Sequence, residues 1–182
     1  ATVTYCKILK QLFPDVPIVI GGIEASLRRV THYDYWDDEL KPCILADCNA
    51  DLLIYGMGEL PLKHIIAELN EGKSFNELTD IPQTAYLVKT DAIPKYKDTE
   101  TFTLFSHKEC KRDKEKQAKN YRVVEEESNK IKANRLIQGI DDQMSVVINP
   151  PFPPMKREDL DASFELPFTR LPHPKYNGKT IP

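Results

Sequence analysis

At 182 residues the chain has room for one ordinary domain, or for one domain carrying a long extension. Its 25 Lys and Arg against 28 Asp and Glu leave a formal charge of -3, without the basic footprint of a nucleic-acid binder, so nucleic acid is unsupported as a partner. No apolar run approaches the roughly 18–20 residues of a membrane span, no signal-peptide pattern opens the chain, and four irregularly spaced cysteines do not make a secreted disulfide scaffold, so a reducing cytoplasm is the expected setting.

Residues Ala1 to Phe13 place Val3, Cys6, Ile8, Leu9 and Leu12 on one face of a short helix that starts without a recognisable cap, as though an upstream strand were missing. The short apolar run Pro17-Ile18-Val19-Ile20 then breaks at Gly21-Gly22 and passes into the helical pattern Ile23 to Arg29. A second apolar run, Leu52-Leu53-Ile54-Tyr55, breaks at Gly56-Met57-Gly58-Glu59 and leads into a helix from Pro61 to Asn70, with Gly72 as its stop and Leu62, Ile65, Ile66 and Leu69 as its apolar stripe. Two buried strands, each ending in glycines and opening a helix, predict an α/β fold with a doubly wound, mostly parallel sheet, incomplete in this stretch.

Further along, Thr84 to Val88 is a third short strand, Asp91 to Thr99 is turn-rich, and His107 to Lys132 is a long charged helix whose apolar seam is Tyr121, Val124 and Ile131. Leu136 to Gln138 and Ser145 to Ile148 predict a hairpin or two neighbouring strands. Prolines from Pro150 onward stop regular structure, apart from a short helix over about Lys156 to Phe164. The expected division is an α/β domain over 1–148 and an extended Pro-rich linker over 149–182.

In a parallel α/β sheet the ligand crevice lies at the strand C-terminal ends. The candidates there are Gly21, Gly22, Glu24, Ser26, Arg28, Arg29, Gly56, Gly58 and Glu59, with His32 and Asp34 in the adjoining aromatic–acidic stretch His32-Tyr33-Asp34-Tyr35-Trp36-Asp37-Asp38. Each has a plainer reading. The glycines serve as turn residues, the arginines are solvated, and Glu59 complements a helix dipole. Asp37 or Asp38 caps a helix running toward Ile44 while the rings pack on the sheet. His64 reads as a partly buried structural residue. The sequence contains no paired C-x-x-C, no nucleophile elbow and no Walker loop, and names no catalytic residue.

Three segments taken together carry a family resemblance: Gly21 to Arg29, His32 to Trp36, and Ala50 to Glu59. They closely resemble the N-terminal region of YgiQ-like radical SAM proteins. More loosely, Gly21-Gly22 after one strand and Gly56-Met57-Gly58-Glu59 after the next are similar to the cobalamin-binding-type domains that precede many radical SAM barrels, which implies a Rossmann-like (flavodoxin/cobalamin-binding-like) sheet. Asp161 to Phe168 and Pro172-His173-Pro174 resemble the YgiQ-like family's linker into the radical SAM barrel. The resemblance implies a [4Fe-4S] cluster and S-adenosylmethionine in the full-length protein, on a C-x-x-x-C-x-x-C motif beyond Pro182. It implies no iron, cofactor or catalytic residue within this stretch, and the barrel and an unknown substrate as its partners. The expectation is an accessory domain whose strand-end crevice shapes the substrate or partner site. The alternatives are a stand-alone flavodoxin-like module binding a nucleotide or cobalamin-like ligand, with Gly22 and Gly58 at a phosphate, and a docking scaffold without ligand.

Overall fold

In the computed structural model, which describes residues 1–96 and 99–178, a six-stranded sheet is ordered β1-β4-β5-β8-β7-β6. The end of the turn-rich stretch at 97–98 and the final residues 179–182 lie outside the described residues. The strands are β1 (Val19–Ile20), β4 (Leu52–Ile54), β5 (Thr84–Lys89), β6 (Thr101–Leu104), β7 (Arg135–Gly139) and β8 (Met144–Ile148), while β2 (His32–Asp34) and β3 (Glu39–Lys41) form a separate hairpin. The α/β class and the Rossmann-like β-to-α junctions stand as read. Parallel pairing is found at β1/β4 and β6/β7, and the three central pairings are antiparallel.

Alternation along the strands divides the core between the two faces of the sheet. Leu53, Val146 and Ile148 join one cluster with Cys6, Ala25, Ile44, Leu45 and Val124, whereas Leu52, Ile54 and Val147 join the other with Ile65, Leu78 and Ile81. The first face carries α1 (Thr2–Leu12), α2 (Gly22–Leu27), α3 (Ile44–Cys48) and α6 (Lys114–Ser128); the second carries α4 (Glu59–Asn70). Helices on both faces explain why β4 is apolar throughout and buried at every residue. Asp51 ties the start of β4 to its neighbours, accepting the Ile18 N–H at 2.6 Å and pairing with Lys10 at 2.7 Å.

Several expectations are corrected. The charged stretch is two helices, α5 (His107–Arg112) and α6, because Asp113 leaves helical geometry and caps α6 through the Glu115 N–H. Its inward side is Cys110, Asn120, Val124 and Glu127; Tyr121 and Ile131 are exposed. Each expected apolar stripe is split: Cys6 and Val3 of α1 and Ile65 of α4 pack on the sheet, whereas Ile8, Leu9 and Leu12 of α1 and Leu62, Ile66 and Leu69 of α4 are exposed. His64 is exposed too, its ring 5.0 Å from that of Phe152. Among the described residues no helix is capped by Asp37 or Asp38, and the helix at Ile44 has Cys43 as its N-cap. Instead Asp34 holds the β2–β3 turn by accepting the Trp36 and Asp37 N–H groups at 3.0 and 3.2 Å, and Tyr35 and Trp36 stand exposed at its tip rather than on the sheet. The expected hairpin is present as β7–β8, its turn closed by Asp141 accepting from Gln143 and Met144. Among the described residues no helix is long and apolar enough to cross a membrane. The last helix, α7 (Arg157–Phe164), has no buried residue.

Candidate functional site

The parallel register Val19↔Leu52 and Ile20↔Leu53 brings both glycine-bearing junctions to the same rim of the sheet. Gly22 turns the chain from β1 into α2 at φ +81°, and Gly56 turns it out of β4 at φ +68°, backbone conformations that glycine adopts without steric penalty. Between them sits Ser26. Its hydroxyl donates to the Gly22 carbonyl at 2.7 Å and accepts the Gly56 N–H at 3.1 Å, so one side chain fixes both turns.

Below this rim lies a cavity of about 360 Å³. Its polar walls are Ser26, Arg29, Tyr55, Gln83 and Ser128, and its apolar rim is Met57, Leu60 and the Pro-rich residues 151–155. Gln83 is held at φ +63° and bonds the Met57 carbonyl through its side-chain amide, while its own carbonyl accepts the Tyr55 N–H at 3.2 Å. Tyr55 donates its hydroxyl to the Asn149 carbonyl at 2.6 Å, and burial pushes its pKa up, so it is a fixed donor and not a titrating group. Arg29 stacks 4.8 Å over the Tyr55 ring and donates to the Ser26 carbonyl and to Ser128 Oγ, the latter at 2.9 Å.

The sequence candidates are therefore distributed. Ser26, Arg29 and Gly56 line the cavity. Glu24, Arg28 and Asp34 gather at a second hollow against α1 and β3. There Arg28 lies 3.4 Å from Glu24 and 3.7 Å from Asp34, and Glu24 also accepts the Thr2 hydroxyl. Burial opposes the charge on Asp34, but the Asp37 and Trp36 N–H groups together with Lys41 and Arg28 hold its pKa below the ordinary value. His32 faces α6 beside Tyr33, its pKa lowered chiefly by burial, with Nε2 buried and unpartnered among the described residues. Gly21 and Gly58 are the N-caps of α2 and α4 and, like Gly22, are not among the cavity's lining residues. Glu59 opens α4 outside the cavity, one carboxylate oxygen buried without a hydrogen-bond partner among the described residues.

Tyr55, Gln83, Ser128 and residues 151–155 were not among the sequence candidates. Tyr55 was within reach, as the last residue of an apolar run ending at Gly56; the others come from distant segments and carry no local signal.

The cysteines do not form a cluster-ligand set. All four are buried and free, and burial pushes the thiols of Cys43 and Cys48 up to about 12 and about 11, away from the thiolate that binds metal. Among the described residues no group of three His, Cys, Asp or Glu is arranged to hold a metal ion.

Comparison with known proteins matches the family described as radical SAM N-terminal over residues 1–182. A UPF0313 protein of Porphyromonas gingivalis is 55% identical over 180 residues, covering 99% of this chain and 28% of that protein. Another, from Bacteroides thetaiotaomicron, is 50% identical over 193 residues, covering 100% of this chain and 30% of that protein. A third, from Geobacter sulfurreducens, is 40% identical over 182 residues, covering 100% and 29%. The chain thus spans 28–30% of the length of these relatives. No solved structure matches it. Matched over its whole length and aligned end to end with these UPF0313 (YgiQ-like) proteins, the chain belongs to the radical SAM N-terminal family.

Proposed function

We propose that this is an accessory domain of a radical SAM iron–sulfur enzyme, and that its strand-end crevice faces the barrel and shapes the site where a substrate or partner sits. The observation that carries the reading is the cavity of about 360 Å³ under two adjoining β-to-α junctions locked by Ser26. That is the place where open α/β sheets bind ligands, and the size of an ordinary small-molecule site.

The family implies a [4Fe-4S] cluster and S-adenosylmethionine for the full-length protein. The buried thiols here do not fit as cluster ligands, so the radical chemistry is assigned to the barrel. This domain binds, orients and excludes water. Arg29 and Gln83 supply polar contacts, while Met57, Leu60 and residues 151–155 supply apolar walls. Exposed Phe164, Leu166, Phe168 and Leu171 suit a linker that packs on the barrel, and four free, buried cysteines suit a reducing cytoplasm.

The test is a photo-cross-linking amino acid at Met57, on the cavity rim and 54% exposed, in the intact protein. The reading expects cross-links to peptides outside residues 1–182, with none from the same probe at Asp142 in the β7–β8 turn. Cross-links from Met57 confined to this domain would count against it.

A further inference from the structure

Arg28 and Arg29 are neighbours in sequence with opposite electrostatic fates. The Arg28 guanidinium is met by two carboxylates, Glu24 and Asp34. Arg29 turns to the other side of α2 and, among the described residues, meets none. Its partners are a carbonyl, the Ser128 hydroxyl and the Tyr55 ring, and the carboxylate acting on it, Glu125, belongs to the exposed side of α6 beyond ion-pair distance. A guanidinium carries five N–H donors and does not deprotonate in proteins. Two are used here, leaving three on a half-buried positive charge that has no carboxylate within ion-pair distance among the described residues.

Arg135 is a contrasting guanidinium without a carboxylate in ion-pair range among the described residues, fully enclosed and with its own Nε buried and unpartnered. Its guanidinium, 1% exposed, is enclosed by the Pro94 carbonyl at 2.6 Å, the Thr79 carbonyl at 3.5 Å, the Tyr86 hydroxyl and the Tyr96 ring. Arg29 is not enclosed in this way; it forms part of a cavity wall. The Ser26 and Ser128 hydroxyls beside it already donate to the Gly22 and Val124 carbonyls, so Arg29 holds the site's uncommitted charged donors, beside one N–H of the Gln83 amide.

We propose that Arg29 makes the crevice a site for an oxyanion, a carboxylate or phosphate group carried on a small and mostly apolar body. The charged group sits on the free edge of the guanidinium. The body lies against Met57, Leu60 and residues 151–155, whose apolar character excludes a heavily hydrated ligand. This inference rests on the crevice being a ligand site and adds the ligand's chemical class.

The experiment is isothermal titration of the intact protein with benzoate, phenyl phosphate and the neutral isostere benzamide. Saturable binding of benzoate or phenyl phosphate without binding of benzamide is expected, and the preferred anion separates carboxylate from phosphate. Arg29→Gln should weaken that binding by at least about tenfold, Arg29→Lys should weaken it less, and Arg28→Gln should leave it unchanged. Benzamide binding as tightly as the anions, or Arg29→Gln binding like the parent, overturns the assignment while leaving a crevice that binds neutral ligands. If Arg29→Gln does not fold, Met57→Trp, which fills the cavity from an exposed position, must abolish anion binding; retention places the anion elsewhere and overturns the proposal. Absence of binding by every probe overturns it as well, and the Met57 cross-link, which does not depend on charge, then decides the crevice reading separately.

Discussion

Ser26 Oγ accepts the Gly56 N–H at 3.1 Å, across a sequence separation of 30 residues, while donating to the Gly22 carbonyl. The contact exists because β1 and β4 are parallel neighbours whose C-terminal ends emerge side by side. Ser26→Ala removes both bonds and leaves the Gly56 N–H without its partner. A loss of about 0.5–1.5 kcal/mol is expected, read as a lower urea midpoint with unchanged slope. Faster hydrogen exchange at the Gly56 amide should accompany it, and an unchanged Gly56 rate would remove Ser26 as the link.

The two turn glycines differ in what surrounds them. A Cβ on Gly22 meets nothing within 4 Å, whereas one on Gly56 comes within 3.3 Å of the Gln83 side-chain nitrogen. Both positions carry left-handed backbone strain for alanine, of about 1–2 kcal/mol. Gly56→Ala also presses on the amide that holds Met57, so it should cost more than Gly22→Ala in paired thermal melts and should weaken ligand binding as well. Equal costs would mean that Gln83 moves freely.

Asn149 should matter more than its place at the head of a Pro-rich stretch suggests. It is fully buried, and its side-chain amide donates to the Thr79 carbonyl at 3.1 Å, the Ile81 carbonyl at 2.9 Å and Thr84 Oγ1 at 3.1 Å. Asn149→Ala removes these bonds from a fully buried site, leaving the Ile81 carbonyl to Thr84 Oγ1 and the Thr79 carbonyl to Arg135, and should cost about 1–3 kcal/mol, with cleavage by a non-specific protease accelerated in the segment from 79 to 84. Parent-like stability would show that the stretch is an independent tail.

Glu109 is held at a pKa of about 2, well below its usual 4.5, first by Lys116 at 2.8 Å and then by the Ser106 N–H and hydroxyl. A carboxylate with a depressed folded-state pKa contributes its full stability above about pH 4.5, and that contribution fades as pH falls toward 2. Denaturation midpoints between pH 5 and about pH 2 should therefore fall less steeply in Glu109→Gln than in the parent. Parallel curves would indicate that the capping box at the start of α5 is not formed in solution.

Two apolar runs that each end in glycine were enough to locate the junctions, because the positive φ at Gly22 and Gly56 favours that residue type. The cavity itself was only half legible. Arg28 and Arg29 look equivalent in one dimension, and only the rotation of α2 sends the first to Asp34 and the second to Tyr55. Gln83 adopts positive φ without being glycine, so nothing in its identity marks it. The break in the charged helix had a readable cause, since Ser106 and Glu109 have capping-box spacing and Asp113 can cap a new helix. The apolar residues of α1 and α4 have an amphipathic period, and period alone does not say which of them meet this sheet, as Cys6 and Ile65 do, and which stay exposed, as Leu12 and Ile66 do.

A structure of the intact protein is the most direct measurement of the central claim. The account predicts that the space bounded by Ser26, Arg29, Tyr55 and Gln83 opens onto the mouth of the radical SAM barrel, with residues 151–155 forming the shared wall. A crevice that opens to solvent on the side away from the barrel would contradict it.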